Sequence, residues 1–314
     1  MAKVKNYLSL IKFSHTIFAM PFALIGFVLG LFSFQDDAVM VVPGWHITVE
    51  GAGQRTFAPP FTVGGTAIRL ALVIGCMVFA RSAAMAFNRY LDRQFDAKNP
   101  RTAVREIPAG IIAPRQALLF TIISCIFFIA CTFFINRICF FLSPVALAVV
   151  LGYSYTKRFT PLCHLVLGLG LSLAPIGAYL AVTGKFQLLP VLFSLAVICW
   201  VSGFDIIYAL QDEEFDKANQ LFSIPAWLGK GRALLVSRFL HLLSAAAVIA
   251  AGWWGHFGIF YGIGLLVFIG MLFYQHSIVK PHDLRRVNIA FMTANGIASV
   301  VFAVFVIADL FFHR

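Results

Sequence analysis

Residues 67–96 read AIRLALVIGCMVFARSAAMAFNRYLDRQFD. The run opens as an apolar helix long enough to cross a hydrocarbon core of about 30 Å. It closes on Asn88, Asp92 and Asp96, spaced four and four. On a helix this places the three side chains on one face, drifting by about 40° per step. A membrane-spanning helix that ends in a polar ladder is the unit from which the rest of the chain is read.

Eight further segments have the same apolar length, so nine are expected: roughly 14–33, 67–88, 116–135, 138–156, 162–183, 188–209, 233–253, 257–274 and 289–312. Composition agrees. Of 314 residues, 61% are hydrophobic and only 12% charged, with a mean hydropathy of +0.89. Soluble domains have about twice that charge. A water-soluble enzyme, a disordered chain and a disulfide-stapled secreted module are thereby excluded. The predicted fold is an all-α polytopic membrane protein of nine transmembrane helices bundled around a central cavity, one domain over residues 1–314. Loop 34–66, with Pro43, Pro59 and Pro60, is the one long connection of low hydrophobicity.

Lys and Arg number 24 against 13 Asp and Glu, a net charge of +11. In such a chain basic residues mark cytoplasmic loops facing anionic lipid, so no nucleic-acid partner is inferred. Their distribution tests the helix count. The N-terminal stub carries Lys3, Lys5 and Lys12; loop 34–66 has only Arg55. Loop 89–115 is rich in Arg and Lys, Arg137 stands alone, and Lys157 and Arg158 form a pair. Lys185 is again alone, loop 210–232 is basic, the turn near 255 has none, and loop 275–288 has Lys280, Arg285 and Arg286. High and low counts alternate throughout. This predicts a cytoplasmic N-terminus, an outer C-terminus and an extracytoplasmic loop 34–66. The expected location is the bacterial cytoplasmic (inner) membrane.

The six cysteines form no CxxC pair and the eight histidines no HxxxH pair, so neither a disulfide framework nor a zinc site is suggested. The N-terminus has no cleavable-signal pattern. His15 is read as an interfacial polar residue, and most of the 34 phenylalanines as lipid-facing or core.

Helix six ends in a second ladder: Asp205, Tyr208, Asp212 and Asp216, spaced three, four and four. Both ladders lie at cytoplasmic ends of even-numbered helices, consistent with an ancient two-fold relation between halves. Any one such carboxylate could simply pair with a neighbouring Arg or Lys. Two facing ladders of one polarity call for a cation between them. Oxygen-only ligands select a hard ion, Mg²⁺ above all, which shares its shell with phosphate oxygens. The implied ligand is a diphosphate bridged through metal. The expected metal ligands are Asn88, Asp92, Asp96, Asp212 and Asp216, with Glu213 and Glu214 off the face and solvated. Lys98, Arg101, Arg105, Lys157 and Arg158 follow the ladders or share their side, and could clamp a departing diphosphate. Arg81 lies two turns deeper than Asn88 on nearly the same face. It is read as the anchor of an anionic acceptor, or else as a partner of Asp205.

At these ladders the sequence resembles the UbiA superfamily of intramembrane aromatic prenyltransferases. The motif N-x-x-x-D-x-x-x-D matches Asn88, Asp92 and Asp96, and D-x-x-Y-x-x-x-D-x-x-x-D matches Asp205, Tyr208, Asp212 and Asp216. The stretches Lys98–Thr102, Tyr153 to Arg158, and Lys12 to Pro21 are similar too. The resemblance implies a nine-helix bundle in which two Mg²⁺ ions hold a polyprenyl diphosphate. The allylic cation formed on its ionisation attacks an electron-rich aromatic ring. It places Arg81 at the acceptor carboxylate in the 4-hydroxybenzoate branch. The sequence departs from the family after the second motif. Ala218 and Phe222 stand where many members carry Lys, and Gln220 where they carry Gly; Ser223 fits and Lys217 is out of register.

The expected activity is prenyl transfer to a small aromatic acid, with 4-hydroxybenzoate the leading acceptor in quinone synthesis. Asp92, Asp96, Asp212 and Asp216 are the expected catalytic residues. Arg81, Asn88, Asp205, Tyr208, Lys98, Arg101, Arg105, Tyr153 and Lys157 are expected to bind substrate. A dihydroxynaphthoate of menaquinone synthesis is the rival acceptor. A cation-coupled transporter is the rival from another class, although transporter sites lie near the midplane rather than at helix ends.

Overall fold

The computed structural model describes residues 2–10, 18–34, 37–42, 45–50, 55–57 and 62–312. Helix α1 (Ala2–Leu10) precedes the short apolar α2 (Met20–Leu31). The connection that follows carries strands β1 (Phe32–Phe34), β2 (Asp37–Val42), β3 (Trp45–Glu50) and β4 (Arg55–Phe57). β1 pairs antiparallel with β4, and β2 with β3, so the segment read as a plain loop holds two short ladders. His15 lies outside the described residues.

The long helices follow as α3 (Val63–Lys98), α4 (Pro114–Ile135), α5 (Arg137–Thr156), α6 (Cys163–Thr183) and α7 (Leu188–Ala209). A 3-10 turn (Leu210–Asp212) and α8 (Glu213–Ala218) extend α7. Then come α9 (Ile224–Trp254), α10 (Ile259–Ile278), a π-turn (Ile289–Ala294) and α11 (Asn295–Phe312). Among the described residues eight helices are long and apolar enough to span, and α2 is the shorter ninth. The chain is an integral, multi-pass membrane protein.

Local signals set the ends. Thr62 caps α3 by accepting from the Gly65 amide at 3.2 Å, and Asn136 caps α5 through the Cys139 amide at 2.9 Å. Pro114 and Pro225 sit in first turns, where the missing N–H costs nothing. Helix α9 begins nine residues before the expected 233, with a break at Gly229 (φ 77°) that only glycine adopts freely.

Helix α7 packs against α6 and α9, α3 against α4, and α10 against α11, while α2 lies between α6 and α11. Gly26 permits that insertion: a Cβ there would strike the Pro175 carbonyl of α6. The core is aromatic. Trp200, Phe22, Phe193, Phe268 and Phe302 are fully buried, with Phe22 5.4 Å from Trp200 and Phe268 5.3 Å from Phe302, centroid to centroid. Hydroxyls join the helices where no water can. Ser194 donates to the Ser172 carbonyl (2.9 Å), Ser237 to Gly203 (2.7 Å) and Ser244 to Ala196 (2.9 Å). Phenylalanines such as Phe133 and Phe141 face outward, as expected for a lipid-exposed surface.

Candidate active site

The C-terminal ends of α3 and α7, with the turn and short helix that extend α7, bring both ladders to one polar cavity of about 260 Å³. Its walls include Asn88, Asp92, Asp96, Asp205, Tyr208, Asp212 and Asp216, together with Arg101, Arg105, Tyr153 and Lys157. A second, apolar cavity of about 400 Å³ runs between α3, α5 and α6. The two share Arg81, Tyr153, Leu167 and Leu171. A charged chamber thus opens onto a greasy one, with a guanidinium and a phenol at the junction.

Four of the five ladder carboxylates meet an Arg or Lys. Asp92 accepts from Arg158 (3.1 Å) and from the Asn88 amide (3.1 Å). Asp96 accepts from Arg105 (2.6 Å), with Arg89 at 4.0 Å. Asp212 is held by Arg101, and Asp216 by Lys157 (2.7 Å) and the Ser223 hydroxyl (2.9 Å). Arg101 also donates to the Tyr208 hydroxyl at 2.9 Å and lies over its ring, 5.3 Å from the centroid. Burial opposes the charge of Arg101, but Asp212 and Tyr208 outweigh it and raise its pKa. Lys157 behaves alike: burial works against the ammonium, and Asp216, Asp212 and Asp92 together raise its pKa. The pairing that would account for any single carboxylate is therefore present. It does not account for both ladders opening on one cavity.

Four expectations need correction. The second ladder is not one regular helix, because the 3-10 turn at Leu210–Asp212 tightens it between Tyr208 and Asp216. Glu213 is not solvated; it is buried, with Lys217 at 2.6 Å and Lys230 at 3.8 Å, while Glu214 is exposed. Lys98 is exposed on the last turn of α3 and is not among the residues lining the polar cavity. Arg81 is not the partner of Asp205, which binds His164 Nδ1 at 2.7 Å. The Arg81 Nε is buried without a hydrogen-bond partner among the described residues.

The sequence reading passed over His164, Arg89 and Phe291, all of which line the polar cavity. Arg89 could have been found: it lies within the first motif, seven residues before Asp96 and so on nearly the same face. His164 and Phe291 sit in apolar runs and carry no local signal.

The donor set suits a hard cation, since the ladder side chains facing the cavity offer only oxygen. Asp96 Oδ2 is buried and accepts no hydrogen bond. Among the described residues no three His, Cys, Asp or Glu side chains converge as a ready cage. Mg²⁺ does not need one, because it takes one or two carboxylates and completes its shell with water and phosphate.

The UbiA prenyltransferase family profile matches residues 54–297, including both motifs. The chain belongs to the UbiA prenyltransferase family. It is 29% identical over 260 residues to a 4-hydroxybenzoate octaprenyltransferase of Tolumonas auensis, covering 82% of this chain and 87% of that one. It is 31% identical over 238 residues to the protein of the same name in Nitrosospira multiformis, covering 75% and 81%. The structure of a UbiA homolog from Aeropyrum pernix K1 aligns with a TM-score of 0.74 at 27% identity, covering 95% of this chain and 97% of that one. A UbiA homolog from Archaeoglobus fulgidus, bound to DMAPP and Mg²⁺, shares the fold with a TM-score of 0.71 at 19% identity, covering 98% and 99%. Membership in a UbiA prenyltransferase family selects prenyl transfer over the transporter alternative.

Proposed function

We propose that this UbiA prenyltransferase moves a polyprenyl group from a polyprenyl diphosphate to the ring of an aromatic acid, with 4-hydroxybenzoate the acceptor, in ubiquinone synthesis. The observation that carries the reading is the junction of the two cavities. Five motif carboxylates line the polar one with Arg101, Arg105 and Lys157, the apolar one leads away from it, and Arg81 stands between. The names of the bacterial relatives support the acceptor.

Asn88, Asp92, Asp96, Asp212 and Asp216 are the residues that would hold Mg²⁺. Bound there, the metal would draw negative charge from the departing diphosphate. The chain's own groups do the rest. Arg101, Arg105, Lys157 and Arg158, exchanging carboxylate for phosphate oxygens, neutralise the diphosphate as the allylic C–O bond breaks. The apolar cavity takes the prenyl tail and keeps water from the cation. Arg81 pairs with the acceptor carboxylate, and Tyr153 flanks it. The ring carbon bonds to the allylic carbon, and the ring proton is lost as aromaticity returns. Asp205, held by His164, and Tyr208 orient the substrates from the α7 side.

The alternation of basic loops supports an inner-membrane placement with the N-terminus and the polar cavity on the cytoplasmic side, where soluble acceptor and Mg²⁺ are found. We read the chain as one transmembrane catalytic unit. The test is purified protein with Mg²⁺ and geranyl diphosphate, offered 4-hydroxybenzoate or 1,4-dihydroxy-6-naphthoate. Prenylated benzoate is expected. Product from the naphthoate alone would move the enzyme to menaquinone synthesis, and no product from either would overturn the reading.

A further inference from the structure

The connection after α10, residues 279–286, returns to the bundle through residues 287 and 288, which are helical, and then a π-turn, Ile289–Ala294, before α11. A π-turn holds one residue more than an α-turn, is rare, and is frequent at functional sites. This one carries Phe291. It lies on the wall of the polar cavity with its ring 4.3 Å from Tyr208, interplanar angle 32°. Phe18 (5.3 Å) and Phe204 (5.5 Å) meet it edge-on.

Asn295, fully buried, holds the turn. Its backbone N–H bonds to the Met292 carbonyl. Its side-chain amide donates to the carbonyls of Ala290 (3.1 Å) and Phe291 (2.9 Å). Its oxygen accepts from Trp200 Nε1 and Gln275 Nε2, both at 2.8 Å. All four hydrogen-bonding places of the amide are used. In a bilayer a node so completely satisfied specifies one backbone register. Without the amide the segment would relax toward an α-turn. One residue would leave the turn, and what precedes it would rotate by about 100°. Phe291 would then leave Tyr208, the residue to which Arg101 is bonded while it holds Asp212.

We propose that Asn295 and Phe291 are positioning residues for the diphosphate end of the site. The π-turn pinned by Asn295 presses Phe291 onto Tyr208 and so fixes the orientation of Arg101 and Asp212. The inference rests on the prenyl-transfer reading for its kinetic consequence, though not for its effect on binding.

The experiment compares wild type with Phe291→Leu, Phe291→Tyr, Asn295→Asp and the Phe291→Leu/Asn295→Asp double variant. Asn295→Asp keeps the oxygen for Trp200 and Gln275 and removes the donors to the turn. Thermal unfolding in detergent selects folded variants. Should Asn295→Asp fail to fold, the two Phe291 variants decide the matter. Calorimetry measures binding of Mg²⁺ with inorganic diphosphate, and steady-state kinetics separate KM for geranyl diphosphate from KM for the acceptor. Phe291→Leu is expected to weaken diphosphate binding and lower kcat/KM for the prenyl donor by about tenfold to a hundredfold, with acceptor KM within about twofold. Phe291→Tyr restores both. Asn295→Asp repeats the pattern, and the double variant loses no more than either single. Wild-type diphosphate binding in Phe291→Leu, equal loss for both substrates, or multiplying losses in the double variant would overturn the proposal. A wild-type protein that transfers no prenyl group would overturn the proposed function instead, and the binding measurements alone would then decide this inference.

Discussion

Arg101 binds Asp212 through two nitrogens, Nε at 3.2 Å and a terminal NH2 at 2.5 Å. The two residues are 111 apart in sequence. Arg101 follows the first ladder and Asp212 belongs to the second, so this pair ties the two halves of the site together. The fork also spans Tyr208, an arrangement a lysine cannot reproduce. Arg101→Lys keeps the charge and loses the fork. It is expected to reduce kcat/KM for the prenyl diphosphate by about ten- to a hundredfold, measured in the geranyl transfer assay. A wild-type value would make Arg101 a topological charge only.

Four of the five ladder carboxylates, all but Asp205, carry the next expectation. Asp92→Ala, Asp96→Ala, Asp212→Ala and Asp216→Ala should each abolish turnover while the protein stays folded. Each removal also strands a cation, and for Asp96 and Asp216, which are buried, some loss of melting temperature will accompany it. A chelator should stop the wild-type reaction, and added Mg²⁺ should restore it. Wild-type turnover in any two of these variants would dismiss the metal assignment.

Arg81 separates the two substrates. Its Nε has no hydrogen-bond partner among the described residues, and it stands where the cavities meet. Arg81→Ala is expected to raise KM for the aromatic acid by about tenfold or more while KM for the prenyl diphosphate moves little. Equal increases would show that the residue serves the fold.

A structural prediction concerns Asp309, a buried carboxylate near the end of α11. It accepts from the amides of Gly258 (2.8 Å) and Tyr261 (3.1 Å), closing the first turn of α10 from outside that helix. Asp309→Ala removes the acceptor that both amides use and should cost about 1–3 kcal/mol. Thermal unfolding in detergent would read this as a lowered midpoint. Prenyl transfer below that midpoint should be unchanged, because Asp309 does not line the polar cavity.

A carboxylate like Asp309 marks the edge of what was legible. Its place in an apolar run is visible, but its task depends on α10 coming within reach. His164 is similar. Nothing near it in sequence announces Asp205, 41 residues away on another helix. The second ladder was legible as a set of residues but not as a shape, since a 3-10 turn inside it leaves the i, i+4 spacing untouched. The burial of Glu213 is likewise a tertiary matter: Lys230, one of its partners, arrives on α9.

By itself the sequence determined the membrane-spanning helices, the alternation of basic loops, and the two polar ladders at helix ends. These are local matters. Apolar length and a period of 3.6 residues act within one segment, and the bilayer imposes them on each segment separately. Tertiary structure decided which cation meets which carboxylate, that Arg81 stands between two cavities, and that a π-turn held by Asn295 delivers Phe291 to Tyr208. Such pairings depend on close packing between helices distant in sequence. A hydrogen bond reaches about 3 Å, and only the assembled bundle sets distances on that scale.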